Sequence, residues 1–284
     1  MKAEASSDPW MEVVRERTDR GRVRAVLFDF DGTISLVREG WQDVMIPMMV
    51  EVLLETPRAE GREEIERTVK RFVTDLTGRQ TVYQMIRLAE EVAGRGGTPR
   101  GPLEYKWDYL RRLDARIADR LLGLESGSRR SEEFLVCGAV ETLQALADRG
   151  VVLYCASGTD QPYCRHEADL LGVSRFFAGG VQGAVDDYKK FSKRKVIRSM
   201  IAEHGLGGAE LACIGDGFVE MEEGAAVGAH TVGVATSENV LLGGRSHRSV
   251  VDQWKRERLI AAHADVIIPD FRHAERLVAY LFGE

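Results

Sequence analysis

The stretch Val23–Val37, VRAVLFDFDGTISLV, decides the fold. Its apolar run, Arg24–Phe28, is the pattern of a strand buried on both faces of a parallel sheet. The run ends by presenting two carboxylates, Asp29 and Asp31, with Phe30 between them. Successive strand side chains point to opposite faces, so residues two apart can approach one reaction centre if the chain stays extended. Two neighbouring carboxylates repel, which is tolerable if a divalent cation neutralises them or if one takes up a proton. Hard oxygen ligands favour Mg²⁺. Gly32 then permits a turn, and the Thr33 hydroxyl can fix a neighbouring carboxylate. Taken alone, the pentapeptide also reads as a plain Asp-Gly turn after a strand.

The remainder of the chain supplies partners for this strand. From Gly138 onward, short apolar runs (VVLYCAS, ELACIG, HTVGVAT, ADVIIPD) alternate with helical patterns, as βα units of a parallel sheet do. Residues 37–134 differ: they show helical periodicity and no convincing strand. Ile65, Val69, Phe72, Val73 and Leu76 share one face, and Val82, Ile86 and Ala89 another. Trp107, Leu110, Ile117 and Leu121 suggest a third, and the polar segment ESGSRRSEE closes the block like a hinge. The expected organisation is an N-terminal extension over 1–22, an α/β core over 23–36 and 135–284, and an all-helical insertion over 37–134 that follows the first strand.

Composition narrows the function classes. The 45 acidic and 39 basic residues are interspersed, which argues against a dedicated nucleic-acid binder. No run of about 18 apolar residues occurs, so no membrane span is expected. The four cysteines, Cys137, Cys155, Cys164 and Cys213, lack metal-ligand spacing, and a reducing cytoplasm is the expected setting.

Ligand sites in open parallel sheets lie beyond the carboxyl ends of the strands. Three later strand ends carry chemistry. In YCASGTD, the Ser157 hydroxyl and the Gly158 amide can hold a phosphate oxygen. In YKKFSKRKVIRSM, Lys193 opens a helix whose buried face is Val196, Ile197, Met200 and Ile201. A cation at a helix N-terminus is unfavourable against the dipole, so its presence hints at an anion. In LACIGDGFVEMEEG, Asp216 ends a strand and could complete a metal site with Asp29, with Glu220 supporting it one helical turn on. Each of these segments alone is also compatible with an ordinary connection or a solvated charge.

In this order, DxDGT, Ser-Gly, Lys and GDG with an acid four residues on resemble the motifs of the haloacid dehalogenase superfamily of aspartate-nucleophile phosphohydrolases. The resemblance implies a Rossmann-like parallel-sheet core. Asp29 would be the nucleophile that forms an aspartyl-phosphate, and Asp31 the general acid and base. Ser157, Gly158 and Lys193 would hold the phosphoryl oxygens. Mg²⁺ would be bound by the Asp29 carboxylate, the Asp31 carbonyl and Asp216. The lysine motif is loosely defined, so Lys190 and Lys195 are alternatives to Lys193; Glu220 stands where the family often has Asp. Asp31 separates the chain from true dehalogenases, which lack an acid two residues after the nucleophile.

A helical insertion between the first and second motifs resembles the C1 caps of phosphoglycolate-phosphatase-like and β-phosphoglucomutase-like members. That implies a small phosphorylated metabolite as the partner, and leaves phosphatase and phosphotransferase or phosphomutase as competing outcomes of one scaffold. In such caps a loop between helices touches the substrate, and LTGRQT, with Arg79 and Gln80, is the candidate here. Phosphonate hydrolysis would need a desolvated cap lysine, and nothing marks Lys70 or Lys106 as one. A non-catalytic phosphometabolite-binding protein is disfavoured by the intact acids. The connection Ser237–Leu259 is long and basic, and could face an anionic substrate or a second subunit.

Overall fold

A computed structural model describes residues 10–237 and 250–284. Its centre is a seven-stranded sheet in the order β1-β7-β6-β5-β2-β3-β4, formed by Glu12–Val13, Val266–Ile268, His230–Val234, Leu211–Gly215, Ala25–Phe28, Val152–Asp160 and Val181–Ala184. All pairings are parallel except β1 with β7.

The strand Ala25–Phe28 is β2, because residues 12–13 already add an antiparallel edge strand to β7. Trp10 is buried, and Arg15 and Arg17 both reach the Asp265 carboxylate, so residues 10–22 pack on the sheet. A two-residue strand carries no period for a sequence pattern to reveal.

Sequence order reverses at β2, which lies between β3 and β5. That is the topological switch point, where open α/β sheets form their ligand crevice. Phe28 is in register with Cys155 on one side and Ile214 on the other. Asp29, Ser157 and Asp216 therefore emerge at nearly the same height. Alternation along β2 serves two faces. Val26 and Phe28 pack into the cluster that holds Leu143 of α5 (Ala139–Asp148) and Leu277 of α10 (Ala274–Phe282). Ala25 and Leu27 meet Val196, Ile197 and Met200 of α7 (Lys193–His204).

Four helices, α1 (Gln42–Leu54), α2 (Arg62–Asp75), α3 (Thr81–Gly94) and α4 (Pro102–Glu125), lie between β2 and α5 in the chain. Their inner faces are Met45, Met48, Met49 and Leu53; Ile65, Val69, Phe72 and Val73; Val82, Met85, Leu88 and Val92; and Tyr105, Tyr109, Leu113 and Ile117. The α4 face differs from the expected one. Trp107 is 55% exposed, whereas Lys106 and Arg120 are buried. Each of these cations is carried inward because an acceptor waits there: Asp160 for Lys106, and the carbonyls of Val37 and Glu39 for Arg120.

Candidate active site

Backbone geometry builds the site first. Asp29 follows β2 directly, and its amide donates to the Ile214 carbonyl, so it extends the sheet by one step. Gly32, at φ +74°, turns the chain back. Its carbonyl accepts a hydrogen bond from Thr236 Oγ1 at 2.7 Å. Thr33 is fully buried, and its hydroxyl accepts the Asp216 amide at 2.9 Å. Thr33 was expected to fix a neighbouring carboxylate, but its hydroxyl bonds to a backbone amide instead. It holds the backbone that carries Asp216.

Strand β3 runs on through Asp160, so Ser157 and Gly158 lie on the strand rather than in a loop, and α6 (Gln161–Leu170) begins at once. The extended backbone points Ser157 and Thr159 the same way. Their hydroxyls both donate to Asp31 Oδ2 at 2.9 Å, and the Thr159 amide donates to Ser157 Oγ. Asp31 Oδ1 is left buried with no hydrogen-bond partner. The Ser157 hydroxyl therefore serves Asp31 here, and Thr159, which the sequence pattern did not single out, joins it.

Lys193 is 4% exposed, and Nζ lies 2.9 Å from Asp29 Oδ1. The same ammonium is bonded to Glu220, on α8 (Phe218–Ala226). Glu220 thus orients Lys193. Ser192 caps α7 by accepting the Lys195 amide, which aims the first turn at the strand tips. Lys190 and Lys195 are exposed and bond to Asp187 and to the Lys189 carbonyl, so neither replaces Lys193. Burial pushes the Asp29 carboxyl up to about 7; Lys193 pulls it down, while Asp216 and Asp31 push it further up.

Asp216 is met by Lys255, Nζ to Oδ2 at 2.7 Å, and Lys255 also lies 3.2 Å from Thr236 Oγ1. Lys255 sits in the first turn of α9 (Gln253–Ala261), capped by Asp252. It comes from the long basic connection. Residues 238–249 of that connection lie outside the described residues.

These groups line a cavity of about 220 Å³ between the strand tips and the four inserted helices. Its walls include Asp29, Asp31, Ser157, Gly158, Lys193 and Asp216 on the sheet side. Arg79 lines it from the loop between α2 and α3, its guanidinium 5.8 Å from the Phe218 ring. Gln80 does not take the expected part: it is buried, and Nε2 donates to the carbonyls of Tyr188 and Phe191, fastening that loop to the core. Gly158 permits the fit, since a Cβ there would stand 2.9 Å from the Arg79 carbonyl oxygen. Lys106 is desolvated after all, but its Nζ is neutralised by Asp160 at 2.6 Å.

A parallel sheet with acids, a lysine and hydroxyls converging at its switch point forms a polar crevice at the carboxyl ends of its strands. The sequence model of the haloacid dehalogenase-like hydrolases matches residues 23–228, and the chain belongs to that family; it is an enzyme. Solved structures share the fold. A predicted phosphoglycolate phosphatase from Haemophilus somnus is 15% identical, with a TM-score of 0.57 over 90% of this chain and 98% of its own. A haloacid dehalogenase-like protein from Streptococcus pneumoniae is 16% identical, TM-score 0.55, over 91% and 98%. A β-phosphoglucomutase from Clostridium difficile is 14% identical, TM-score 0.52, over 84% and 98%. A comparison with curated proteins finds no match. Among the described residues, no helix is long and apolar enough to cross a membrane.

Proposed function

We propose that the protein is a Mg²⁺-dependent phosphatase that hydrolyses a small phosphorylated metabolite through an aspartyl-phosphate on Asp29. The observation that carries this reading is the pairing of a buried Asp29 with Lys193 at 2.9 Å, opposite an Asp31 held by two hydroxyls in the same small cavity.

The donor set fits a divalent cation. Asp29 and Asp216 are close enough that one raises the other, and an ion between them relieves that repulsion. Among the described residues no three His, Cys, Asp or Glu side chains cluster as ligands, so the Asp31 carbonyl and water would complete the set, as Mg²⁺ commonly accepts. When bound, the ion keeps Asp29 ionised and offsets charge on the phosphoryl oxygens.

Asp29 attacks phosphorus and the ester oxygen departs with the bonding pair. Asp31 gives that oxygen a proton, and Oδ1, the oxygen without a protein partner, is the atom placed to carry it. Water then attacks the aspartyl-phosphate, Asp31 takes its proton, and phosphate leaves Asp29. Lys193 and the Gly158 amide stabilise the phosphoryl oxygens throughout, with Ser157 tying Asp31 to that cradle. Arg79, at the cavity wall, faces the substrate from the helical side, which closes over a metabolite rather than a macromolecule. The four cysteines are all free thiols, in keeping with a reducing cytoplasm.

A panel of phosphate esters with Mg²⁺, run beside Asp29→Asn, tests the reading. Free phosphate should appear with the native chain and not with the variant. Transfer of phosphate to a second sugar, without net release, would make the enzyme a phosphotransferase instead.

A further inference from the structure

The four helices over the cavity are tied to the sheet on both sides of β2. On the β3 side, Arg38, in the turn leading to α1, donates from Nε and Nη2 to Glu167 Oε1 on α6 at 2.9 and 2.7 Å, and Lys106 of α4 meets Asp160. On the other side lie β5 and β6, and there the tie comes from α9, which follows β6. Arg258 Nη1 donates to the Thr74 carbonyl, in the last turn of α2, at 2.5 Å. The last carbonyls of a helix lack partners within it and carry its negative pole, and α2 has no basic residue of its own in that turn. Arg258 supplies the missing cation from a distant part of the chain.

Helix α9 is a firm base for that grip. Asp252 caps it, Leu259 is buried among Met221, Ala235 and Ile267, and Arg256 pairs with Glu12 of β1. Arg258 itself is half-buried; burial pulls its guanidinium below the ordinary value, while Asp75 and Asp216 hold it up. The guanidinium lies 4.6 Å from the Trp254 ring, one helical turn back, and 5.3 Å from the Phe218 ring, so aromatic faces help to fix it. Phe218 is also the ring beside Arg79.

The path from the grip to the cavity is short and hydrogen-bonded. The Thr77 amide donates to the Thr74 carbonyl at 3.2 Å, and the Arg79 amide to the Leu76 carbonyl at 3.1 Å. Gly78, at φ +91°, passes over the turn that carries Asp216, where a Cβ would stand 3.3 Å from the Gly217 Cα. Fixing Thr74 therefore fixes the backbone that presents Arg79.

On the phosphatase reading, we infer that Arg258 is a positioning residue for the reaction: from α9 it grips the end of α2 and holds the loop that carries Arg79 seated over the reacting phosphate. It touches no substrate. The seated loop is the form that binds, so loosening the grip dilutes that form and raises KM, whereas saturating substrate restores it and keeps kcat near native.

Arg258→Met keeps the stem and removes the donor. For ethyl phosphate, and for the fastest ester of the panel, KM should rise about tenfold with kcat within about twofold of native. Arg258→Lys, which retains a donor for the Thr74 carbonyl, should recover part of the loss. On an Arg79→Met background Arg258→Met should change KM by less than about twofold, because the grip acts through Arg79. Hydrogen exchange of the substrate-free protein reads the loop directly: in Arg258→Met the Thr77 and Arg79 amides should exchange about fivefold faster, with the α9 amides unchanged. A native KM, unchanged exchange at Thr77 and Arg79, faster exchange over the whole of α9, or a KM effect that persists in full without Arg79 overturns the inference and leaves phosphatase activity standing. If no ester releases phosphate, the phosphatase reading fails, and exchange alone decides whether Arg258 holds the loop.

Discussion

Lys255 sits on Asp216, ammonium to carboxylate oxygen at 2.7 Å, with the two side chains only 10% and 12% exposed. Counting Asp29, Asp31, Asp216 and Glu220 against Lys193 and Lys255 leaves the ionised site two negative charges in excess. A divalent cation at the proposed site would supply that difference. Lys255 would then compete with the ion for Asp216 and set how tightly the metal is held.

Lys255→Met should therefore tighten Mg²⁺ binding by about tenfold, equivalent to ~1.4 kcal/mol. Calorimetric titration of the substrate-free protein reads this directly, and Mn²⁺ followed by electron paramagnetic resonance gives an independent value. Unchanged or weaker binding would show that Lys255 orients Asp216 rather than competing for it.

Asp29 makes stability depend on pH in a definite direction. Its carboxyl is raised to about 7 in the fold by burial, against an unfolded value of about 4. The fold prefers the neutral form, so this group's contribution is complete below about pH 4 and is lost as pH rises through about 7. Without metal, Asp29→Asn should gain on the native protein across that window by ~4 kcal/mol, then level off above pH 8. Urea unfolding at each pH measures the difference, and saturating Mg²⁺ should flatten it. A pH-independent difference in the metal-free protein would show that Asp29 is ionised throughout.

The four strand-tip motifs were legible because a parallel strand fixes where its next residues emerge. Phe28, Cys155 and Ile214 are in register, so spacing from each apolar run was enough to assemble Asp29, Ser157 and Asp216. Thr159 was recoverable on the same ground, being two residues beyond Ser157 on an extended strand. Lys255 and Arg38 were not. Lys255 lies in WKRERL, where four charges in a row read as a solvated face, and only the Asp252 cap and the path of α9 turn it toward Asp216. Arg38 needs Glu167, 129 residues away, to bring it inside. On α4, Trp107 misled for the converse reason. Apolar character marked it as core, but the face was chosen by Tyr105, Tyr109, Leu113 and Ile117, and Trp107 falls opposite.

The Arg38–Glu167 pair should be costly to break and cheap to replace. Glu167→Ala leaves a buried guanidinium without its counter-ion, for which ~3 kcal/mol of stability should be lost. Arg38→Met with Glu167→Leu removes both charges and keeps the volume, and should recover most of that loss. Denaturant midpoints for the two variants decide the matter. Equal destabilisation by both would mean that packing, not the unpaired charge, sets the cost.

Two glycines separate folding from closure. Gly138, at φ +77°, caps α5, and a Cβ there would fall 1.9 Å from the Phe271 carbonyl oxygen. Gly138→Ala should cost ~3 kcal/mol or more, because both the dihedral and the contact are unavailable to alanine. Gly158 has no such dihedral demand; its missing Cβ makes room for the Arg79 carbonyl. Gly158→Ala should leave stability within ~1 kcal/mol, since the loop between α2 and α3 can lift. Lifting it moves Arg79 and the helical wall off the reacting phosphate, for which about 10²-fold in kcat/KM should be lost. Thermal melts beside steady-state kinetics give both numbers. Full activity in Gly158→Ala would mean that this loop need not seat against the strand for turnover.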